Sequence, residues 1–260
     1  MDTWILLRGL TREAAHWGSF TDDLQAALPH ARIVTLDLPG NGSLHEHTSP
    51  LTVRGMVAAC RAELARRGLR PPYHVLAMSL GAMVATEWAC TAPDDIRGCV
   101  LVNTSFRPFS PFFHRLRPRN YAALLALVLR RRPPDAIEHA VWRLTSNTPA
   151  VTTVIGQWVT ARAVHPVSTA NALRQLAAAA RYRAPLTPPP SPMLLLASQH
   201  DGLVNHRCSL AIARHWHCAL ALHPQAGHDL PLDAPQWVIA QVQHWLEGAH
   251  PGHQDSALRG

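Results

Sequence analysis

The chain has 260 residues, 47% of them hydrophobic, and a net charge of +7, enough apolar material for one α/β domain with an insertion or for two small domains. No stretch approaches the roughly 18 to 20 consecutive apolar residues that a membrane span requires. The five cysteines are odd in number and dispersed, which argues against a disulfide framework and suits reduced core thiols in a cytoplasmic protein.

Trp4-Ile5-Leu6-Leu7 follows the acid Asp2 and precedes Arg8-Gly9, so it reads as a buried strand and not as a signal-peptide core. Apolar runs of strand length recur at Ile33 to Leu36, Val75 to Ala77, Cys99 to Val102, Met193 to Ala197 and Cys218 to Leu222. Helical patterns lie between most of them, such as Val53 to Arg67 and Ala82 to Cys90. Buried strands alternating with amphipathic helices predict a doubly wound, mostly parallel α/β sheet of about six strands. The alternation stops after Asn103 and resumes at Ser191-Pro192-Met193. Four helices are expected between, over Tyr121 to Arg131, Pro134 to Thr145, Ala150 to Ala163 and Ser168 to Arg181, and Leu186 to Pro190 reads as a stiff return linker. The expected organisation is a core of residues 1–105 and 191–248, a helical cap at 106–190, and a flexible tail at 249–260.

Charge follows the same division. Residues 106–190 hold twelve arginines against Asp135 and Glu138, a balance of +10, while the remainder carries −3, and the chain has no lysine. Guanidinium groups bind carboxylate or phosphate in a two-pronged geometry, so the cap reads either as ordinary solvated charge or as a docking face for an acidic partner. No aromatic-plus-basic repeat accompanies the arginines, and nucleic-acid binding is not expected.

The segment Ala77-Met78-Ser79-Leu80-Gly81 joins an apolar strand to an apolar helix. A serine on such a turn has its hydroxyl lifted from the backbone beside the positive end of a helix, where an oxyanion can be stabilised. Ala77 stands where this pattern usually carries glycine, and alanine serves there if its backbone is not left-handed. Groups that activate such a serine belong at the carboxyl ends of the strands. Asp201 follows the strand Met193 to Ala197, and His228 follows Gly227 after the last strand, giving the chain order Ser79, Asp201, His228. In this set His228 takes the serine proton and Asp201 orients and stabilises the imidazolium. The backbone N–H groups of Leu10 and Leu80 are the candidate oxyanion hole. Asp229 and Asp233 compete with Asp201 for the acid, and the earlier strand ending near Val102 is followed by Asn103 and not by an acid. Met78, Trp142 and Trp158 are candidates for the substrate pocket. His45-x-His47 and His215-x-His217 lack companions at zinc spacing, so no metal is expected. Asp37-Leu38-Pro39-Gly40-Asn41-Gly42 lacks the Gly-Lys-Ser/Thr of a phosphate loop and is expected to form a turn bordering the mouth of the site.

Taken together, Leu7-Arg8-Gly9-Leu10 with His16-Trp17, the Asp37 to Gly42 turn, the Ser79 segment, Asp201-Gly202-Leu203-Val204 and Gly227-His228 resemble the α/β-hydrolase superfamily over almost the whole chain. Capped carboxylesterases look closest, including those that cleave methyl esters of carrier-bound acyl chains in biotin synthesis. The chain departs from them in Arg8, where His is usual, in Ala77, and in a first strand pair missing before Trp4. The resemblance implies a cofactor-free serine esterase for short to medium acyl esters, turning over through an acyl-enzyme. It also implies a small-molecule or carrier-linked ester as substrate, with an acidic acyl carrier protein as a candidate partner of the cap. The alternatives are carbon–carbon bond hydrolysis, perhydrolysis or acyl transfer by the same residues, and a non-catalytic ligand-binding protein on the same fold.

Overall fold

The computed structural model describes residues 2–129 and 133–249; the end of the helix expected over Tyr121 to Arg131 and residues 250–260 of the expected tail lie outside it. Six strands form one parallel sheet: β1 (Asp2–Leu7), β2 (Ala31–Leu36), β3 (Tyr73–Met78), β4 (Ile96–Val102), β5 (Met193–Ser198) and β6 (Ala219–His223), in the order β2-β1-β3-β4-β5-β6. Every residue of β3 and β5 is buried, as near-continuous apolar strands require when helices cover both faces of a sheet.

Side chains alternate across the strands and so build two apolar layers. Ile5, Leu7, Val75, Ala77, Leu101 and Leu195 face a layer that includes residues of α2 (Val53–Arg66), α3 (Leu80–Thr91) and α9 (Arg207–Trp216). Trp4, Leu6, Leu76, Val100 and Leu194 face the other layer, completed by Phe20 and Leu24 of α1 (Phe20–Ala27) and by Val238, Ile239 and Val242 of α11 (Pro235–Ala249).

Between β4 and β5 the chain is helical: α4 (Phe112–Arg115), α5 (Tyr121–Leu129), α6 (Pro134–Thr145), α7 (Thr152–Val164) and α8 (Thr169–Arg181). Ser168 caps α8 by accepting a hydrogen bond from the Asn171 N–H at 3.1 Å, the start signal expected of a serine there. A separate apolar cluster of Trp142, Ile155 and Trp158 joins α6 to α7. These helices are tied to the sheet by charge. Arg12, in the loop after β1, donates to Glu138 of α6 at 2.6 Å, and Arg162 of α7 donates to the same carboxylate, which is fully buried. The Arg12 guanidinium also lies 4.2 Å from the Trp158 ring centroid. Burial pulls the Arg12 pKa down against the pull of Glu138, which raises it.

The turn at Asp37 to Gly42 is a structural anchor and does not reach the mouth of the cavity described below. Asp37 accepts hydrogen bonds from Ala14 N, Ser43 N and Ser43 Oγ at 2.8 to 2.9 Å, and Asn41 joins Arg12 O to Gln175.

Parallel register brings the carboxyl ends of β1, β3, β4, β5 and β6 to one rim, with Leu7 beside Ala77, Met78 beside Val102, and Ser198 beside His223. At this rim α3 crosses the end of β1 so closely that a side chain at Gly81 would put Cβ 2.6 Å from the carbonyl oxygens of both Leu7 and Arg8. Backbone cannot yield as a flexible side chain does. Gly81→Ala is therefore expected to destabilise the fold by about 1 to 3 kcal/mol, read as a lowered Tm. An unchanged Tm would show that α3 sits farther from β1.

Candidate active site

Ser79 joins β3 to α3 with φ 55° and ψ −114°, a conformation that non-glycine residues seldom adopt and that costs on the order of 1–3 kcal/mol. The turn is held on both sides: Ser79 N donates to Val102 O at 2.9 Å, and Thr104 Oγ1 donates to Ser79 O at 3.2 Å. Ala77 is an ordinary strand residue paired with Leu7 and Leu101, without a positive φ, so alanine meets no backbone penalty there. Gly9 lets the loop after β1 come close, since a Cβ on it would lie 3.1 Å from the Cβ of Ser79.

His228 and Asp201 are both buried, and His228 Nδ1 meets Asp201 Oδ2 at 2.7 Å. The other oxygen of Asp201 accepts the N–H groups of Leu203 and Val204 at 2.7 and 2.9 Å. With Nδ1–H donated to the carboxylate, Nε2 is left as the acceptor. His228 and Ser79 line the same cavity, and no hydrogen bond joins the Ser79 hydroxyl to His228 among the described residues; such contacts often tighten only around a substrate. Burial disfavours the imidazolium of His228, but the charge of Asp201, its hydrogen bond and the charge of Asp229 outweigh burial and raise the pKa.

The rival acids are committed elsewhere. Asp229 forms a two-pronged pair with Arg8, at 3.1 and 2.5 Å, with both side chains buried. Asp233 accepts hydrogen bonds from Gly227 N, Asn147 N, Ser146 Oγ and Thr148 Oγ1. Asn103 is a clamp. Its Nδ2 donates to His228 O at 2.7 Å and Gly227 O at 3.2 Å, and its Oδ1 accepts Ser198 N at 2.8 Å, binding the histidine loop to the ends of β4 and β5.

The cavity has a volume of about 750 Å³ and is bordered by Ser79, His228, Met78, Leu10 and Leu80, with Leu124, Ile137 and Leu176 among its apolar wall residues. The N–H groups of Leu10 and Leu80 donate to no carbonyl among the described residues, and Leu80 opens α3, where helix N–H groups are free. Trp142 and Trp158 do not line the cavity. They are buried against Ile155, with Trp142 Nε1 donating to Thr148 O at 3.0 Å, so they pack the helical segment and are not pocket residues. No group of three or more His, Cys, Asp or Glu among the described residues is placed to hold a metal ion.

Roles for Arg8 and Asp229 escaped the sequence. They lie 221 residues apart, and no local spacing links them; the only signal was an arginine where resemblance expects histidine.

A histidine serves as a base only when neutral, so with the raised pKa of His228 catalysis through it would show an acidic limb of the kcat/KM profile above the ordinary histidine value. Asp201→Asn removes the two strongest raising effects and leaves burial, so that limb should move to lower pH while kcat falls about 10² to 10⁴-fold. Full activity with an unmoved limb would remove Asp201 from the site.

The sequence pattern of the alpha/beta hydrolase family matches residues 4–241. A pimeloyl-[acyl-carrier protein] methyl ester esterase of Xylella fastidiosa (strain M12) is 24% identical over 245 residues, covering 90% of this chain and 91% of that protein. One of the same name from Xanthomonas campestris pv. campestris (strain B100) is 34% identical over 89 residues, 34% of this chain and 32% of that one. This stronger local match thus spans about a third of the relative's length. Among solved structures, a thermophilic esterase from Thermogutta terrifontis superposes with a TM-score of 0.74 at 21% identity, covering 96% of this chain and 91% of that one. A hydrolase from Pseudomonas aeruginosa PA01 gives 0.75 at 20%, covering 94% and 89%. At such identities the superpositions speak for the fold. With its parallel sheet, its left-handed turn at Ser79 and a family match over nearly its whole length, the chain belongs to the alpha/beta hydrolase family.

Proposed function

We propose that this protein is a serine esterase that hydrolyses carboxylic esters of short to medium acyl chains through an acyl-enzyme on Ser79. The observation that carries the reading is the buried Asp201–His228 pair, which leaves Nε2 as a base beside the cavity that Ser79 also lines. His228 takes the proton as Ser79 Oγ attacks the ester carbonyl, and the N–H groups of Leu10 and Leu80 receive the negative charge that forms on its oxygen. The alcohol then leaves with the proton from His228. Water, deprotonated by the same histidine, attacks the acyl-enzyme and releases the acid. Asp201 stays ionised and stabilises the imidazolium at each stage.

A cavity of about 750 Å³ is of ordinary ligand size, and its aliphatic wall suits a hydrocarbon chain. The relatives in Xylella and Xanthomonas are named for a methyl ester, and a methyl ester of a medium chain is the form we propose here, since methanol asks for no room beyond Ser79. The test is initial rates on p-nitrophenyl esters of increasing acyl length and on the corresponding methyl esters. Rates should peak at a short to medium length, and Ser79→Ala should lower kcat by about 10⁴-fold or more. Folded native protein inert on every ester, or equal activity in Ser79→Ala, would contradict the reading. Adding alcohol or peroxide to the same assay separates hydrolysis from acyl transfer and perhydrolysis.

A further inference from the structure

Two buried charges stand next in the chain to the groups that the ester reading needs. Arg8 follows β1 and precedes Gly9-Leu10, and Asp229 directly follows His228. Their side chains meet in a two-pronged pair, Nη1 to Oδ1 at 3.1 Å and Nη2 to Oδ2 at 2.5 Å, and both line the cavity. Each end of the pair is also held by its surroundings. The Arg8 guanidinium lies 4.8 Å from the Trp17 ring centroid, and the Arg8 carbonyl stands where a side chain on Gly81 would have to go. Asp229 N donates to Thr145 O at 2.7 Å, and Asp229 O accepts the N–H groups of Leu232 and Asp233. A buried ion pair adds little net stability over well-packed apolar groups of similar volume, but a guanidinium–carboxylate fork fixes angle as well as distance between the segments it joins. The segments joined here are those that carry Leu10 and His228.

The pair also acts on the base with both signs. Asp201, from the loop after β5, and Asp229 favour the imidazolium of His228, whereas Arg8 disfavours it. The start of α3 and Asn103 after β4 bring no ionisable side chain to the base. Farther along the first loop, Glu13 pairs with His165, Arg12 shares Glu138 with Arg162, and His16 is itself under the charges of Arg12 and Arg8.

We propose that Arg8 and Asp229 are positioning residues of the reaction: their fork sets the loop that carries the Leu10 N–H against the loop that carries His228, and their opposite charges balance each other beside the base. The proposal rests on the ester reading and adds to it how the two sides of that site are held in register. Because the opposing effects on His228 partly cancel, the fork can stand next to the base without committing it to the protonated form.

The experiment measures kcat, KM and the pH dependence of kcat/KM for Arg8→Met, Asp229→Asn, the double variant and Arg8→Lys, on the ester that the native protein turns over fastest. A histidine works as a base only when neutral. Removing Arg8, which disfavours the imidazolium, should therefore move the acidic limb to higher pH, and removing the charge of Asp229 should move it to lower pH. The double variant leaves neither charge buried without its partner. Its limb should return toward the native position while kcat stays about 10 to 10²-fold down with little change in KM, because the two loops are no longer tied. Arg8→Lys keeps the charge without the fork and should hold the native limb, with kcat between those of the native protein and Arg8→Met. A folded double variant with native kcat overturns the positioning role. Limbs that stay put, or that move in the same direction in the two single variants, overturn the charge balance. Should a single variant fail to fold, the double variant and Arg8→Lys decide on the same terms. A native protein that turns over no ester is a failure of the ester reading and not of the pair. NMR titration of the His228 imidazole, assigned by its absence in His228→Gln, then decides: opposite shifts in Arg8→Met and Asp229→Asn support the balance, and unmoved titrations refute it.

Discussion

The arrangement depends on one steric constraint, the contact between the start of α3 and the end of β1. Gly81 has no room for a side chain against the carbonyls of Leu7 and Arg8, and Gly9 has little against Ser79. Three backbones therefore meet at the serine, and its left-handed turn persists because Val102 O and Thr104 hold it from β4. Strain of this kind survives where surrounding structure over-determines it. Leu10 and Leu80 line the same cavity as Ser79, while Asn103 brings His228 to the rim from the other strands.

Buried charge organises what lies above the rim. Arg8 with Asp229 fastens the first strand's loop to the histidine loop, and Arg12 with Glu138 and Arg162 fastens it to α6 and α7. Both clusters reach the cavity wall. Such pairs contribute little net stability against well-packed apolar groups, yet leaving one partner alone is strongly destabilising. His16 shows the field they create: burial first, then the charges of Arg12 and Arg8, push its pKa well below the ordinary value.

Much of this could be read from residue order, and the reasons are physical. The central strands were legible because they are buried along most of their length and so are written as near-continuous apolar runs; β5 begins at Met193 as expected, and α6 runs over Pro134–Thr145 as its proline start implies. The placing of Ser79, Asp201 and His228 at one rim was legible because a parallel sheet sends every strand's carboxyl end there. What stayed hidden was which side chains meet across the fold. Trp142 and Trp158 carry no local sign of facing each other and not the cavity. The Asp37 turn looked like a border of the site, but its Gly40 and Asn41 pack against Asn171 and Gln175 of α8 instead. Arg8, Asp229 and Glu138 are ordinary charges in sequence and become informative only when buried together.

The central claim is that Ser79 is the nucleophile activated by His228. The most direct measurement is labelling with a fluorophosphonate ester, followed by mass spectrometry of the peptides. The account predicts a single adduct on Ser79, absent in Ser79→Ala and formed much more slowly in His228→Ala. A native protein that takes up no label, or carries it on another residue, would contradict the account.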